Sequence, residues 1–346
     1  MKVLMIIFLL ISLSTPVHAA EISAPPVTGD AEQFMPEDMP SFAEGVLYIL
    51  KTALRELRPD LTQSCRLCLS VIAVAILMSV VEAFSSKTRE LVNTVGVLSI
   101  GFLLFGSTNA LIGMAADTIQ EISSYGKLLL PAMTAAVAAQ GGTASSTILY
   151  TGTAFFDALL STIITVFVIP MVYLFLAMTI GHCTIGENLL KRLRDFLKWM
   201  ITWSMKTVLY IFTGYMSISS VITGGADKTA LKAAKLTISG AVPVVGGIMS
   251  DATESILLGA AIVKHSVGIY GMMAIVAIVV LPFFRVGVVY LLLKFTAAIC
   301  GVFTSGKIAD VTQGFSEAMG FLLGMTGTVS LLFLISIVCL MKGVTI

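Results

Sequence analysis

Seven apolar runs, none holding more than one charged residue, dominate the chain and leave it few possible folds. They are Leu67–Phe84, Val92–Ala116, Leu159–Gly181, Met200–Ile222, Val267–Phe284, Val286–Phe303 and Met319–Met341. Each approaches or exceeds the roughly 20 residues that a helix needs to cross a bilayer. Only 12% of the 346 residues are charged and mean hydropathy is +0.98, whereas soluble domains carry about 25% charged residues. The apolar surface therefore faces lipid, and the expected fold is all-α, a polytopic membrane helix bundle of about seven spans. A net charge of +1 gives no bulk attraction for nucleic acid.

One stretch between these runs does not read as an ordinary span. Gly224–Lys264 has an uncharged run, Leu236–Ser250, broken by Pro243 and by Gly246-Gly247, with Asp251 and Glu254 close behind. Two half-length arms around such a centre read as a re-entrant hairpin, which survives at membrane depth only in protein or beside water; a loop on the membrane surface is the other reading. Leu128–Phe156, interrupted by Gln140-Gly141-Gly142, reads as a second re-entrant hairpin. The two regions suggest an internal repeat, around 128–182 and 236–294. Pro131 and Pro170 stand 39 residues apart, as do Pro243 and Pro282. Transporters often carry two such copies with interrupted segments at the binding site.

The N-terminus divides in two. Lys2, the apolar Val3–Leu13 and Val17-His18-Ala19 read as a cleaved signal peptide over residues 1–19. Residues 20–64 form an extracytoplasmic segment, acidic and flexible over Glu21–Met39. Ser41-Phe-Ala-Glu44 is a capping box. It opens an amphipathic helix with Ala43, Val46, Leu47, Leu50, Leu54 and Leu57 on one stripe, which Pro59 ends. The polytopic domain is 65–346.

Lys and Arg in short loops stay cytoplasmic. The loop Leu189–Lys198, with Lys191, Arg192, Arg194 and Lys198, is the strongest anchor; Lys87 and Arg89 mark another. On this reading both hairpins open from outside, Val286–Phe303 runs outward, and Met319–Met341 returns to an inside Lys342. Lys228, Lys232 and Lys235 share one helical face. They fall outside, against the rule, where they are solvated or meet anionic headgroups or an acidic partner.

Ionisable groups at membrane depth are costly and mark cavities or bundle interiors. Here these are Asp157, Lys206, Asp251, Glu254, Lys264, His265 and Arg285. Arg285 reads as part of a tight cytoplasmic turn. Were residues 267–303 one long element, Arg285 would need a carboxylate, with Asp251 or Glu254 as candidates. Ser316, Gly320, Gly324 and Gly327 form a small-residue stripe suited to close helix approach, within the bundle or to another subunit. The odd count of five cysteines argues against a disulfide framework, and Cys65-x-x-Cys68 reads as small residues at a helix start. No H-E-x-x-H, G-x-S-x-G or P-loop occurs, so neither an enzyme nor a cofactor is expected.

Asp227–Lys235, Val242-Pro-Val-Val-Gly-Gly247 and Ser250-Asp-Ala-Thr-Glu254 closely resemble the corresponding hairpin of the stage III sporulation protein AE family. The likeness extends to the signal peptide, the Pro131–Gly142 block and the number of apolar segments, though the exposed N-terminal region is shorter than the family's. The resemblance implies a multi-pass protein of the mother-cell membrane around the forespore, encoded with seven other stage III A proteins. It implies partnership with those proteins, including a companion ATPase, and with a forespore partner in a secretion-like channel. It implies no catalytic residues. The competing reading from the residues is a small-solute permease with its site at the two hairpins.

Overall fold

The computed structural model describes residues 24–27, 29–36, 41–84, 89–241, 246–304 and 306–342; the side chains at 30, 83, 84, 89 and 220–257 are outside that description. The signal-peptide assignment lies outside the described residues. A short 3-10 helix, Gly29–Phe34, precedes α1 (Phe42–Phe84), α2 (Arg89–Ala139), α3 (Thr143–Thr162), α4 (Ile169–Ile185), α5 (Asn188–Ala241), α6 (Gly246–Phe303) and α7 (Lys307–Lys342). A π-helical turn, Ile163–Val168, joins α3 to α4 without a break. Its cause is local. Pro170 has no N–H to give back and its ring crowds the preceding turn, so the helix widens and the Ile169 N–H bonds to Ile164, five residues back.

With α3 and α4 continuous, the helices form six rods that alternate in direction. At one end Gly181 lies against Leu190, Gly96 against Met78 and Ile308, and Gly314 against Thr179. There Lys198 Nζ meets Glu317 Oε1 at 3.0 Å. At the other end Gly126 lies against Phe333, Gly268 against Met133 and Met341, and Gly152 against Tyr215. Gly141, with φ of 84°, turns the chain there between α2 and α3; only glycine adopts that backbone without cost. Helix α7 is the centre, packed by α2, α3, α4, α5 and α6. Phe315 and Phe333 of α7 are fully buried, as are Phe175 of α4 and Phe212 of α5, and the Phe175 and Phe321 rings meet edge to face at 5.1 Å. Among the described residues, five helical stretches are long and apolar enough to cross a membrane: Phe42–Glu82, Glu90–Ala139, Thr143–Ile185, Leu258–Phe303 and Lys307–Lys342.

Several expectations give way to longer helices. Pro59 does not end α1, which runs on to Phe84. A proline costs a helix interior about 3 kcal/mol, a loss that packing offsets where Ile49, Ala53 and Leu57 bury against Met273, Ala277, Val280 and Leu281. The stripe read from the sequence holds in part: Leu57 is buried and Leu50 packs beside it, whereas Ala43, Leu47 and Leu54 are exposed and Ile49 and Ala53 take their place in the buried face. Ser41 does cap the helix, its Oγ accepting from the Glu44 N–H at 3.3 Å. The basic loop at 189–198 is helix, the first turns of α5, and the turn before it narrows to Gly186 and Glu187.

Residues 267–303 are one helix and not two spans, so Arg285 is in no turn. Removing that turn changes the parity of all that follows. Lys307 starts α7 at the same end as Leu190 and Lys198, and Met341 ends it at the opposite end beside Gly268. The last two runs thus point opposite to the expected directions. The acidic N-terminal segment is also not wholly loose. Phe34 is buried against α1 and α6, and the Tyr125 hydroxyl donates to the Pro25 carbonyl at 3.3 Å. The small-residue stripe of α7 serves the bundle itself: Gly320 faces Tyr290, Gly324 faces Met205 and Gly327 faces Phe283.

Candidate functional site

Helices α1, α2 and α6 carry their charges to a common level. On α1, Asp60, Gln63, Leu67 and Ser70 follow at steps of three, four and three residues, with Ser64 four from Asp60, which aligns them on one face. That face meets Ser107 on α2 and Arg285 on α6 across a cavity of about 1040 Å³, also lined by Arg66, Gly106 and Ala110. Arg285 Nε donates to Asp60 Oδ2 at 2.6 Å, joining residues 225 apart in sequence. Both side chains keep about a third of their surface exposed, 37% and 32%, so the pair borders the cavity instead of being sealed. A hydrogen bond to a charged partner is worth about 1.5–3 kcal/mol, and the lower end applies at this exposure.

Arg285 also lines a second cavity of about 400 Å³, with Asp117, Thr118 and Glu121 of α2 and Ala31 and Phe34 of the 3-10 helix. The guanidinium therefore stands between a wall with Arg66 and Asp60 and a wall with two carboxylates. Prolines flank it on both helices: Pro59 lines the larger cavity, Pro282 the smaller. Each removes the N–H that would bond four residues back, to Arg55 and to Ile278. Thr62 and Ser70, which line the cavity, donate their hydroxyls to Arg58 and Arg66 carbonyls of their own helix, which leaves each oxygen free to accept. The chemistry on offer is hydration and exchange of charge partners. Among the described residues no three His, Cys, Asp or Glu side chains converge to hold a metal ion.

The residues singled out in the sequence do not gather here, Arg285 excepted. Asp251 and Glu254 cannot serve it. Glu254 precedes Arg285 by 31 positions on one continuous helix, about 46 Å of rise. Gly246, Gly247, Asp251 and Glu254 open α6, while Lys228, Lys232 and Lys235 lie near the end of α5; their side chains, and Pro243 entirely, lie outside the described residues. The two arms of this hairpin are not short pieces but the ends of helices of 54 and 58 residues. Asp157 is buried on α3, accepts from Ser123 Oγ at 2.7 Å, and lines neither of the two cavities that Arg285 borders. Lys264 is buried and Lys206 exposed. All five cysteines are free.

Asp60 is the residue that sequence reasoning missed. Ending the helix at Pro59 put Asp60 outside any element. The polar stripe of residues 60, 63, 64 and 70, running into an apolar run, was the available signal.

No solved structure matches this chain. A curated relative, stage III sporulation protein AE of Bacillus subtilis (strain 168), is 24% identical over 272 residues, covering 78% of this chain and 68% of the relative. The sequence model of the family described as stage III sporulation protein AE matches residues 32–343. That match takes in every helix of the bundle, and the chain belongs to the stage III sporulation protein AE family.

Proposed function

We propose that this protein is a membrane component of a multi-protein, secretion-like channel between mother cell and forespore, required for endospore formation. Its partners are the other stage III A proteins, with the companion ATPase supplying energy, and a forespore protein across the second membrane. Family membership supports the sporulation role. The polar groove between α1, α2 and α6 is the observation that carries the channel reading, because a charged, open space among apolar helices is retained where something polar passes or docks. The end bearing Lys191, Arg192, Arg194, Lys198 and Lys307 is the cytoplasmic one by the positive-inside rule. The chain acts without catalysis or a cofactor of its own.

A small-solute permease is the second reading, favoured by the size of the cavity at Arg285. Arg285→Gln and Asp60→Asn separate the two when made in a spore-forming host and in the purified protein. The channel reading expects full membrane accumulation, loss of spore formation, and no solute flux through the purified protein in liposomes. Solute flux through the purified protein alone, abolished by Arg285→Gln, establishes the permease. Normal spore yield in both variants, with no solute flux through the purified protein, removes the groove from either role.

A further inference from the structure

The first turns of α5 carry an exposed stripe that the bundle does not use. Arg192, Phe196, Trp199, Trp203 and Lys206 follow one another at steps of four, three, four and three residues, so they share a single helix face. The rings are stacked in series. Phe196 and Trp199 centroids lie 6.0 Å apart at 29°, and Trp199 and Trp203 lie 5.8 Å apart at 21°. All three remain more than half exposed, at 52%, 57% and 55%.

The cations around this ladder are differently engaged. Lys198 pairs with Glu317 and Arg194 with Asp195. Lys191 and Arg192 are exposed and form no ion pair with a described residue. Indole rings are favoured at the bilayer interface, where an apolar body and a polar N–H both find partners. Unengaged Lys and Arg beside them supply the charge complementary to phosphate. A core-facing helix would show neither feature, and a helix facing water seldom leaves three stacked aromatic rings exposed in a row.

We propose that the start of α5 is a binding surface for anionic phospholipid headgroups, with Lys191 and Arg192 on the phosphates and the stacked Trp199–Trp203 pair seated just beneath them. The surface is independent of the groove at Arg285 and of the channel reading.

The chain has only two tryptophans, Trp199 and Trp203, so tryptophan emission, excited at a wavelength the tyrosines do not absorb, reports this surface alone. The full-length protein is reconstituted in mixed phosphatidylglycerol and phosphatidylcholine bilayers, with one lipid at a time brominated on its acyl chains. Brominated phosphatidylglycerol is expected to quench at least about threefold more strongly than brominated phosphatidylcholine at equal mole fraction, with the preference lost at high salt. Lys191→Gln with Arg192→Gln should remove the preference and keep the quenching. Equal quenching by both lipids in the wild-type protein overturns the headgroup site. Quenching by neither lipid overturns it too, since the indoles would then face water or another protein. The wild-type comparison stands even where the double variant fails to accumulate.

Discussion

Asp157 and Asp60, two of the carboxylates on these apolar helices, are held by opposite means. Asp157 is 5% exposed, its partner Ser123 is 4% exposed, and the seam around them is closed, with Gly126 under Phe333, Gly152 under Tyr215, and Thr153 bonded to Ser336. Asp60 is answered by a guanidinium and borders open space. A Cβ placed at Gly106 or Gly113, glycines lining the two cavities, would meet no atom within 4 Å. One acid is fastened by packing and a hydroxyl, the other by countercharge. Depth alone thus does not identify a working group; the free volume beside it does.

The contrast breaks most sharply at the glycines of the closed seam. Gly126→Ala puts a methyl into the Phe333 ring, which is itself buried and has nowhere to retreat. A loss of about 3 kcal/mol is expected, read as a lower midpoint of unfolding in a detergent titration; an unchanged midpoint would mean the seam is loose. Next in size is Asp157→Leu. It leaves the Ser123 hydroxyl buried without its acceptor, at a cost of about 2 kcal/mol, whereas Asp157→Asn keeps an acceptor and should cost less than half of that. Equal losses in the two variants would show that charge, and not the hydroxyl bond, holds this acid. The smallest effect has the opposite sign. Gly106→Ala adds helix propensity without a clash and should stabilise by about 0.5–1 kcal/mol. Destabilisation there would show that the groove closes in the membrane.

Much of the helical content was legible from apolar run length alone, and the break at 140–142 from its composition, although it joins the long helices 89–139 and 143–185 and not the two short arms expected over Leu128–Phe156. What misled were the usual signs of an ending. Pro59 and Arg285 each look like punctuation, because a proline commonly ends a helix and a charge between two apolar runs reads as the turn between two spans. Inside a bundle, neighbouring rods supply the missing contacts, and both helices run through. One unbroken helix at residue 285 then reversed the directions of the last two runs, since orientation is counted span by span. The pairing of Asp60 with Arg285 depends on a register between α1 and α6 that no local pattern encodes. Arg285 was recognisable as needing a carboxylate; which one was a matter of three-dimensional packing.

Pro59 and Pro282 stand on facing helices at the height of the same ion pair. A rod lacking one rung of its hydrogen-bond ladder bends there at lower cost than elsewhere. With both rods weakened at one level, their flexing shares a fold line, and Asp60 with Arg285 is the clasp across it.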